Sequence, residues 1–378
     1  MHAVVFDDLA PRRPAGATEG DRCPGALRLH QAADGWLARI RIPGGRLTPT
    51  QLAALADVAT AQGNGLLDLT SRANVQLRGL RGDPSAAIAA AGLLPAPAHE
   101  RVRNVLASPL AGRDPRALLD GVRLTAALDA AICADPALTA LSGRFQFAVE
   151  DGSGLLAGAD ADLLLEAVGR DEVRLVTAGV PGEARADEAG APALAVAAAR
   201  TFLAGADGAW RIARTAAPSA PSAPLELGPF AQPDGRVALT ALAPLGRLDA
   251  QQLRGLAALG RELRVSPWRT VTLVDADAGD ATALRALGLI LDADSGWRGL
   301  TACAGLGACP RARLDVRAAA AARARRRSPG DPAEHWSACP RRCGAPRAGA
   351  ATVTWTTDGV RSEGLDPGAV RAALEVAA

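Results

Sequence analysis

Residues 43 to 56, PGGRLTPTQLAALA, return without a gap as PLGRLDAQQLRGLA at 244 to 257, with Pro, Gly, Arg, Leu, Gln, Leu, Leu and Ala in register. After a spacer five residues shorter in the second copy, LTSRANVQL at 69 to 77 aligns with VSPWRTVTL at 265 to 273, which sets Trp268 opposite Arg72. Self-similarity of this kind means one structural unit built twice, so the chain must fold around two half-molecules related by a pseudo-twofold. A length of 378 residues leaves room for more than that pair. Two or three compact units, each with its own core, are expected.

Each copy mixes strand and helix patterns. CPGALRLH and GWLARIRIPGG read as two short strands joined by a turn around Asp34 and Gly35. Along the second, Leu37, Arg39 and Arg41 share one face while Ala38, Ile40 and Ile42 take the other, because strand side chains alternate. Residues 48 to 61, TPTQLAALADVATA, read as a helix capped by Thr48, with Pro49 in its first turn and Leu52, Leu55, Ala56 and Ala59 as its apolar stripe. LTSRANVQLR reads as one alternating strand, Thr70, Arg72, Asn74, Gln76 and Arg78 against Leu69, Ser71, Ala73, Val75 and Leu77. A solvated sheet face explains the polar row. Joined to Arg39 and Arg41, the same row becomes a face of forked donors suited to a multiply anionic ligand.

The expected boundaries follow from these patterns. Residues 1–20 read as a flexible N-terminal arm, 21–85 as the first half-domain, 98–213 as a first α/β domain, 214–224 as a Pro/Ser/Ala-rich linker, 225–284 as the second half-domain and 285–378 as a second α/β domain. The first α/β domain alternates a helical run, RALLDGVRLTAALDAAI, with strand-like RFQFAVE and DEVRLVTAG. VRAALEVA closes the chain as a short helix.

Four of the six cysteines lie in the last domain, as C-x5-C (Cys303, Cys309) and C-x3-C (Cys339, Cys343). This is not the C-x2-C rhythm of zinc ribbons or bacterial ferredoxins. Four thiolates from two loops suit a [4Fe-4S] cubane, with Gly305 and Gly307 allowing close backbone approach and Pro340 holding its turn. An all-thiolate zinc site, disulfides and buried free thiols are the other readings of the pattern. Cys23 and Cys133 stand apart as structural or incidental. Few cysteines and no apolar leader point to a reducing cytoplasm.

Every one of the 42 basic residues is arginine. With no lysine there is no Schiff base, no phosphate-loop lysine and no lysine proton donor. A net charge of +2 is too small for a nucleic-acid surface, and no apolar run is long enough to cross a bilayer. ARARRR at 322 to 327 reads as a solvated helix end. The four histidines show no metal spacing, and His335 reads as a surface or loop residue. Helix capping and solvation account for Asp114 and Asp120, and core packing for Trp297 and Trp336, which precede the cysteine pairs.

Taken in order from about Cys23 to the C-terminus, GWLARIRIPGG, LTSRANVQLR, RVRNVLASP, LSGRFQFAV and the two cysteine pairs resemble the nitrite and sulfite reductase superfamily. The resemblance implies an α+β fold of duplicated ferredoxin-like half-domains related by a pseudo-twofold, plus two α/β nitrite/sulfite-reductase-like domains. It implies a [4Fe-4S] cluster on Cys303, Cys309, Cys339 and Cys343, and a tetrapyrrole faced by Arg39, Arg41, Arg72, Gln76, Arg103, Asn104 and Arg144. Where sulfite reductases carry a PRKFK-like pair of lysines this chain has SGRFQF, with Arg144 and Gln146. Multi-electron reduction of sulfite or nitrite consumes protons that arginine is too weak an acid to supply.

Within the superfamily the CPG start and GRF segment are most similar to the precorrin-3B synthase family. That likeness implies an oxidoreductase of monooxygenase type in aerobic cobalamin biosynthesis, which uses molecular oxygen and an unidentified electron donor. Its reaction hydroxylates precorrin-3A at C20 and closes a γ-lactone. The polycarboxylated tetrapyrrole would be substrate, and no nucleic-acid or membrane partner is implied. A non-haem iron is a further cofactor admitted by the likeness, with no ligands identifiable. The alternatives are a siroheme-dependent sulfite or nitrite reductase, whose cofactor would be siroheme, and a non-catalytic iron–sulfur electron carrier.

Overall fold

In each copy of the repeat a capping box starts a helix. The Thr48 hydroxyl accepts the Gln51 N–H while the Gln51 side chain accepts the Thr48 N–H, and Asp249 and Gln252 do the same in the second copy. Two orphan donors are satisfied at each start. The structure is a computed structural model describing residues 11–12, 21–214, 225–346, 349–356 and 359–376.

The first half-domain runs β1 (His30–Ala32), β2 (Gly35–Ile40), β3 (Arg46–Leu47), α1 (Pro49–Gln62), β4 (Leu66–Leu69), β5 (Val75–Leu80) and α2 (Ser85–Ala90). Two expectations are corrected here. The first strand begins at His30, because the Gly25 N–H turns back onto the Arg28 carbonyl at 2.9 Å. LTSRANVQLR is not one strand but a hairpin. The Thr70 hydroxyl accepts the N–H groups of Arg72 and Asn74 at 3.3 and 3.1 Å, and Ala73 takes φ +52°, folding the chain between β4 and β5. An alternating pattern that continues through such a tip conceals it.

The first α/β domain follows: β6 (Val105–Ala107), α3 (Gly121–Ala134), β7 (Phe147–Glu150), β8 (Leu163–Gly169), β9 (Glu172–Thr177), β10 (Val180–Ala186) and α4 (Ala191–Gly205). Its sheet is parallel across β6, β7 and β8 and antiparallel onward to β10. Phe145, Phe147 and Phe202 pack in its core. The helix α3 starts later than its sequence pattern because Asp120 caps it, accepting the N–H groups of Val122 and Arg123. Of the expected loose arm, Pro11–Arg12 is paired antiparallel with Arg211–Ile212. Linker residues 215–224 lie outside the described residues.

The second half-domain repeats the first as β11 (Gly228–Ala231), β12 (Val237–Leu242), β13 (Arg247–Asp249), α5 (Ala250–Ala258), β14 (Leu263–Val265), β15 (Thr270–Ala276) and α6 (Asp280–Ala286). Even its hairpin tip is copied. Ser266 Oγ accepts the N–H groups of Trp268 and Thr270, and Arg269 takes φ +61° where Ala73 stood. The two halves exchange edge strands: β3 pairs with β14 and β13 with β4, giving sheets β13-β4-β5-β2-β1 and β11-β12-β15-β14-β3. Leu52 and Leu55 of α1 and Leu253 and Leu256 of α5 enter one shared core.

The last domain is β16 (Leu300–Ala302), α7 (Val316–Ala324), β17 (Ala333–Ser337), β18 (Ala350–Thr356), β19 (Gly359–Glu363) and α8 (Pro367–Glu375), with β16, β17 and β18 parallel. Here the solvated reading of ARARRR is corrected in part. Arg325 and Arg326 are exposed, but Arg323 and Arg327 are buried and both donate from Nε to Glu334 Oε1, at 3.1 and 3.0 Å. Glu334 Oε2 accepts from the buried Trp336 indole at 3.1 Å. Among the described residues no helix is long and apolar enough to cross a membrane.

Candidate functional site

β2 and β5 are neighbours in one sheet, with Arg39 registered against Gln76, so their polar side chains meet on the face opposite the core. Arg39 Nη2 donates to Gln76 Oε1 at 2.9 Å, and its Nη1 points at Cys23 Sγ at 3.4 Å. Its Nε is buried without a partner. Arg72, at the hairpin tip, makes no side-chain hydrogen bond or ion pair to any described residue. Burial, and after it the charges of Arg211 and Arg39, draw its pKa down to about 10, so it remains a cation at neutral pH. A partly buried cation that makes no ion pair, and feels the Asp162 carboxylate only at a distance, gains from an anionic ligand.

Arg41 has a different role. It is buried, donating Nε to the Arg101 carbonyl at 3.1 Å, Nη1 to Pro24 O at 3.2 Å and Nη2 to Gly143 O at 3.3 Å. Burial, and then Arg39, take its pKa to about 10. It clamps the Cys23–Pro24 segment against two loops. Arg103 forms a two-pronged pair with Asp129, at 2.8 and 2.6 Å, which holds its pKa up against burial. Asn104, fully buried, donates to the carbonyls of Arg101, Gly143 and Phe145 and accepts from Asn74. Arg144 stands at the rim, its guanidinium 4.5 Å above the Trp210 ring and its side chain 45% exposed. The seven predicted residues therefore divide. Arg39, Arg72 and Gln76 lie on the sheet face away from the core, Arg144 is half-exposed against Trp210, and Arg41, Arg103 and Asn104 bind protein groups.

The cysteine loops reach this same sheet. Arg78 on β5 is gripped by Asp34 at 3.0 and 3.1 Å and donates to the Ala308 carbonyl at 3.1 Å, inside the loop between Cys303 and Cys309. Gly305 and Gly307 in that loop take φ of +78° and +80°, which glycine alone adopts without strain. The Cys303 N–H donates to Trp336 O on β17, and Cys303 Sγ accepts the Ala338 N–H at 3.3 Å, joining the first pair to the approach of the second. Cys343 feels burial first and then the charges of Cys339, Cys303 and Cys309, which together push its thiol up. Among the described residues no three His, Cys, Asp or Glu side chains are grouped to hold a single metal ion. Thiols on two glycine-bearing loops are the donor type that an iron–sulfur cluster takes.

Several neighbours were not legible in the sequence. His335, expected on the surface, is fully buried on β17, its Nδ1 2.8 Å from Thr301 Oγ1. Burial, and then Arg269, push its pKa down to about 4. Cys23 sits between Arg39 and Arg41. Arg317 feels burial, Arg247 and Arg269, which bring its pKa to about 10 beside Asp68 and Cys303. With Arg247 it lines a cleft of about 440 Å³ along Ala304, Leu306 and Ala308. The repeat could have pointed to Arg247, which matches Arg46 of the first half, but Cys23, Arg317 and His335 lie outside both copies and Arg269 stands where the first half has Ala73.

Comparison with known proteins places the fold. The family model of the nitrite/sulfite reductase ferredoxin-like half domain matches residues 30–91 and 230–287. A precorrin-3B synthase of Sinorhizobium sp is 31% identical over 158 residues, 39% of this chain and 32% of that protein. A ferredoxin–nitrite reductase of Synechococcus elongatus is 35% identical over 127 residues, 31% of this chain and 25% of that protein. The structure of the Mycobacterium tuberculosis NirA protein superposes with a TM-score of 0.69 at 19% identity, covering 84% of this chain and 70% of that one. The sequence matches span about a third or less of these curated relatives' length. The repeat thus matches two nitrite/sulfite reductase ferredoxin-like half domains, and the α+β fold around them is shared with the NirA structure.

Proposed function

We propose that this chain is an oxidoreductase of the precorrin-3B synthase type, which hydroxylates precorrin-3A at C20 with molecular oxygen, followed by γ-lactone formation. The observation that carries the reading is Arg72. It is a cation with no side-chain hydrogen bond or ion pair to a described residue, near Arg39, on the sheet to which Arg78 ties the first cysteine loop. A polycarboxylated tetrapyrrole supplies the missing anions.

The chain's own residues would orient that substrate. Arg39 and Arg72 present N–H forks to its carboxylates, each charge-assisted bond contributing roughly 1.5–3 kcal/mol. Gln76 fixes the direction of the Arg39 fork. Arg144, stacked on Trp210, closes the rim. Arg41 and Asn104 hold the loops behind this face, so the donors are pre-positioned and not recruited. Cys303, Cys309, Cys339 and Cys343 would hold a [4Fe-4S] cluster, which supplies single electrons from an external donor. No set of residues here is assigned to a non-haem iron.

The nitrite reductase matches favour a second reading, a siroheme-dependent sulfite or nitrite reductase. The lysine-free sequence weighs against it, because Arg144 and Gln146 replace lysine proton donors and Gln146 is buried in hydrogen bonds to the Asn104 and Phe147 carbonyls. A simple iron–sulfur carrier would have no use for the arginine-bearing sheet. Anaerobic purification with iron, acid-labile sulfide and optical analysis separates the three. The proposal expects iron and sulfide without bound siroheme, and oxygen-dependent conversion of precorrin-3A to a product one oxygen atom heavier. A siroheme absorption band, or a cluster with no affinity for tetrapyrroles, would overturn it.

A further inference from the structure

We infer that Cys23 is a positioning residue for the anionic ligand: its sulfur fixes one prong of the Arg39 guanidinium while Gln76 fixes the other, so that the fork meets a carboxylate in one orientation. The inference rests on the reading of this sheet face as the tetrapyrrole site. Cysteine spacing gave no hint of such a role, because Cys23 stands far from both cysteine pairs.

The segment that carries the thiol is a strap tied down at both ends. Asp21 anchors its start, with Oδ1 accepting the Cys23 N–H at 2.9 Å and Oδ2 the Gly143 N–H at 2.7 Å. Further on, the Arg39 N–H of β2 donates to the Gly25 carbonyl at 2.9 Å, and the Ala26 N–H donates to Glu100 Oε2 at 2.8 Å. Cys23 is buried between the strap and the Gly143 loop. A Cβ on Gly143 would lie 3.0 Å from Cys23 Cβ and 3.3 Å from its Sγ, so the loop closes on the thiol because residue 143 has no side chain.

Held there, the thiol donates to the Gly143 carbonyl at 3.3 Å and accepts from Arg39 Nη1 at 3.4 Å and Arg41 Nη2 at 3.5 Å. Sulfur is a weak acceptor, so these contacts direct the guanidiniums more than they bind them. Arg41 has three carbonyls to keep it in place without the sulfur. Arg39 does not. Among the described residues its side chain is held by Cys23 and Gln76, and its buried Nε has no partner. After burial, which lowers them, the Cys23 sulfur is the first group to act on the pKa values of Arg41 and Arg72, holding both up, which sets it close to Arg72 as well. Loss of the sulfur leaves Arg39 free to turn about Gln76, and a fork that must be ordered by the ligand binds less tightly.

The test is an absorbance titration of the purified full chain with uroporphyrin, a stable polycarboxylated porphyrin, beside a denaturant melt of every variant. Cys23→Ala should weaken binding by roughly tenfold. Cys23→Ser, which keeps one proton to donate and lone pairs to accept, should recover most of the loss. Arg39→Gln should also weaken binding, and in that background Cys23→Ala should cost nothing further, because a residue that acts through Arg39 has no effect once the guanidinium is gone. Should Cys23→Ala fail to fold, Cys23→Val, which fills the space without the polar contacts, takes its place in the cycle. Parent-like binding by Cys23→Ala, losses that add in the double variant, or a serine variant as weak as the alanine one would each overturn the inference while leaving the function proposal standing. A parent protein that binds no uroporphyrin would remove the tetrapyrrole reading itself, and this inference with it.

Discussion

Arg41 and Arg72 are the same residue type with pKa values drawn down to about 10 by burial, yet their partners differ completely. Arg41 spends its donors on three carbonyls, and Arg72 has no side-chain partner among the described residues. Removing them should therefore give opposite signatures. Arg72→Ala should leave thermal stability nearly unchanged, because no side-chain hydrogen bond or ion pair is lost. It should weaken binding of a polycarboxylated porphyrin by about 1.5–3 kcal/mol in an absorbance titration. Arg41→Ala leaves carbonyls of Pro24, Arg101 and Gly143 without that donor and should cost about 3 kcal/mol of stability in a denaturant melt. Equal losses of binding in both variants, with no difference in stability, would show that Arg41 also faces the ligand.

At the scale of elements, β17 depends on a buried acid. Glu334 neutralises Arg323 and Arg327 and fixes the Trp336 indole, and the same strand leads into Cys339. Glu334→Gln leaves two buried guanidiniums short of their counter-charge and should destabilise the chain by roughly 3–5 kcal/mol, read as a lower melting temperature with loss of the Trp336 near-ultraviolet signal. The run ARARRR, read as a solvated end, gave no hint of this, because charge runs in sequence say nothing about an acid arriving from a strand several residues on. The capped helices were legible, since Thr48–Gln51 and Asp249–Gln252 are local patterns. The α+β fold with duplicated half-domains was legible too, from the gapless repeat and the family likeness. The hairpin tip at Thr70–Ala73 was not, because its alternation runs unbroken through the turn. Nor was the burial of His335, which is decided by Thr301 on a neighbouring strand.

For the whole molecule, exchange of β3 and β13 makes each half-domain an edge of the other, so neither sheet is complete alone. A second device fastens the first α/β domain to this pair. Arg264 donates to the carbonyls of Pro109 and Ala111, at 3.2 and 2.6 Å, and Arg113 forms a two-pronged pair with Asp275 at 2.8 and 2.7 Å. The Arg113 hydrogen bond, aided by Gln232 against burial, holds the Asp275 carboxyl down to about 2. A depressed carboxylate contributes stability that is present above its unfolded pKa of about 3.9 and is lost as pH falls through about 2. Asp275→Asn isolates this effect, because Asn tolerates the φ of +56° at that position and keeps the shape of the side chain. Arg113 is a third exposed, so screening reduces the linkage. The parent should exceed Asp275→Asn by about 1 kcal/mol in urea melts near pH 6, with the gap narrowing below about pH 4 and closing near pH 2. A gap that stays constant across that range would mean that the clasp acts through packing and neutral hydrogen bonds, and that the docking of this domain is indifferent to the charge of Asp275.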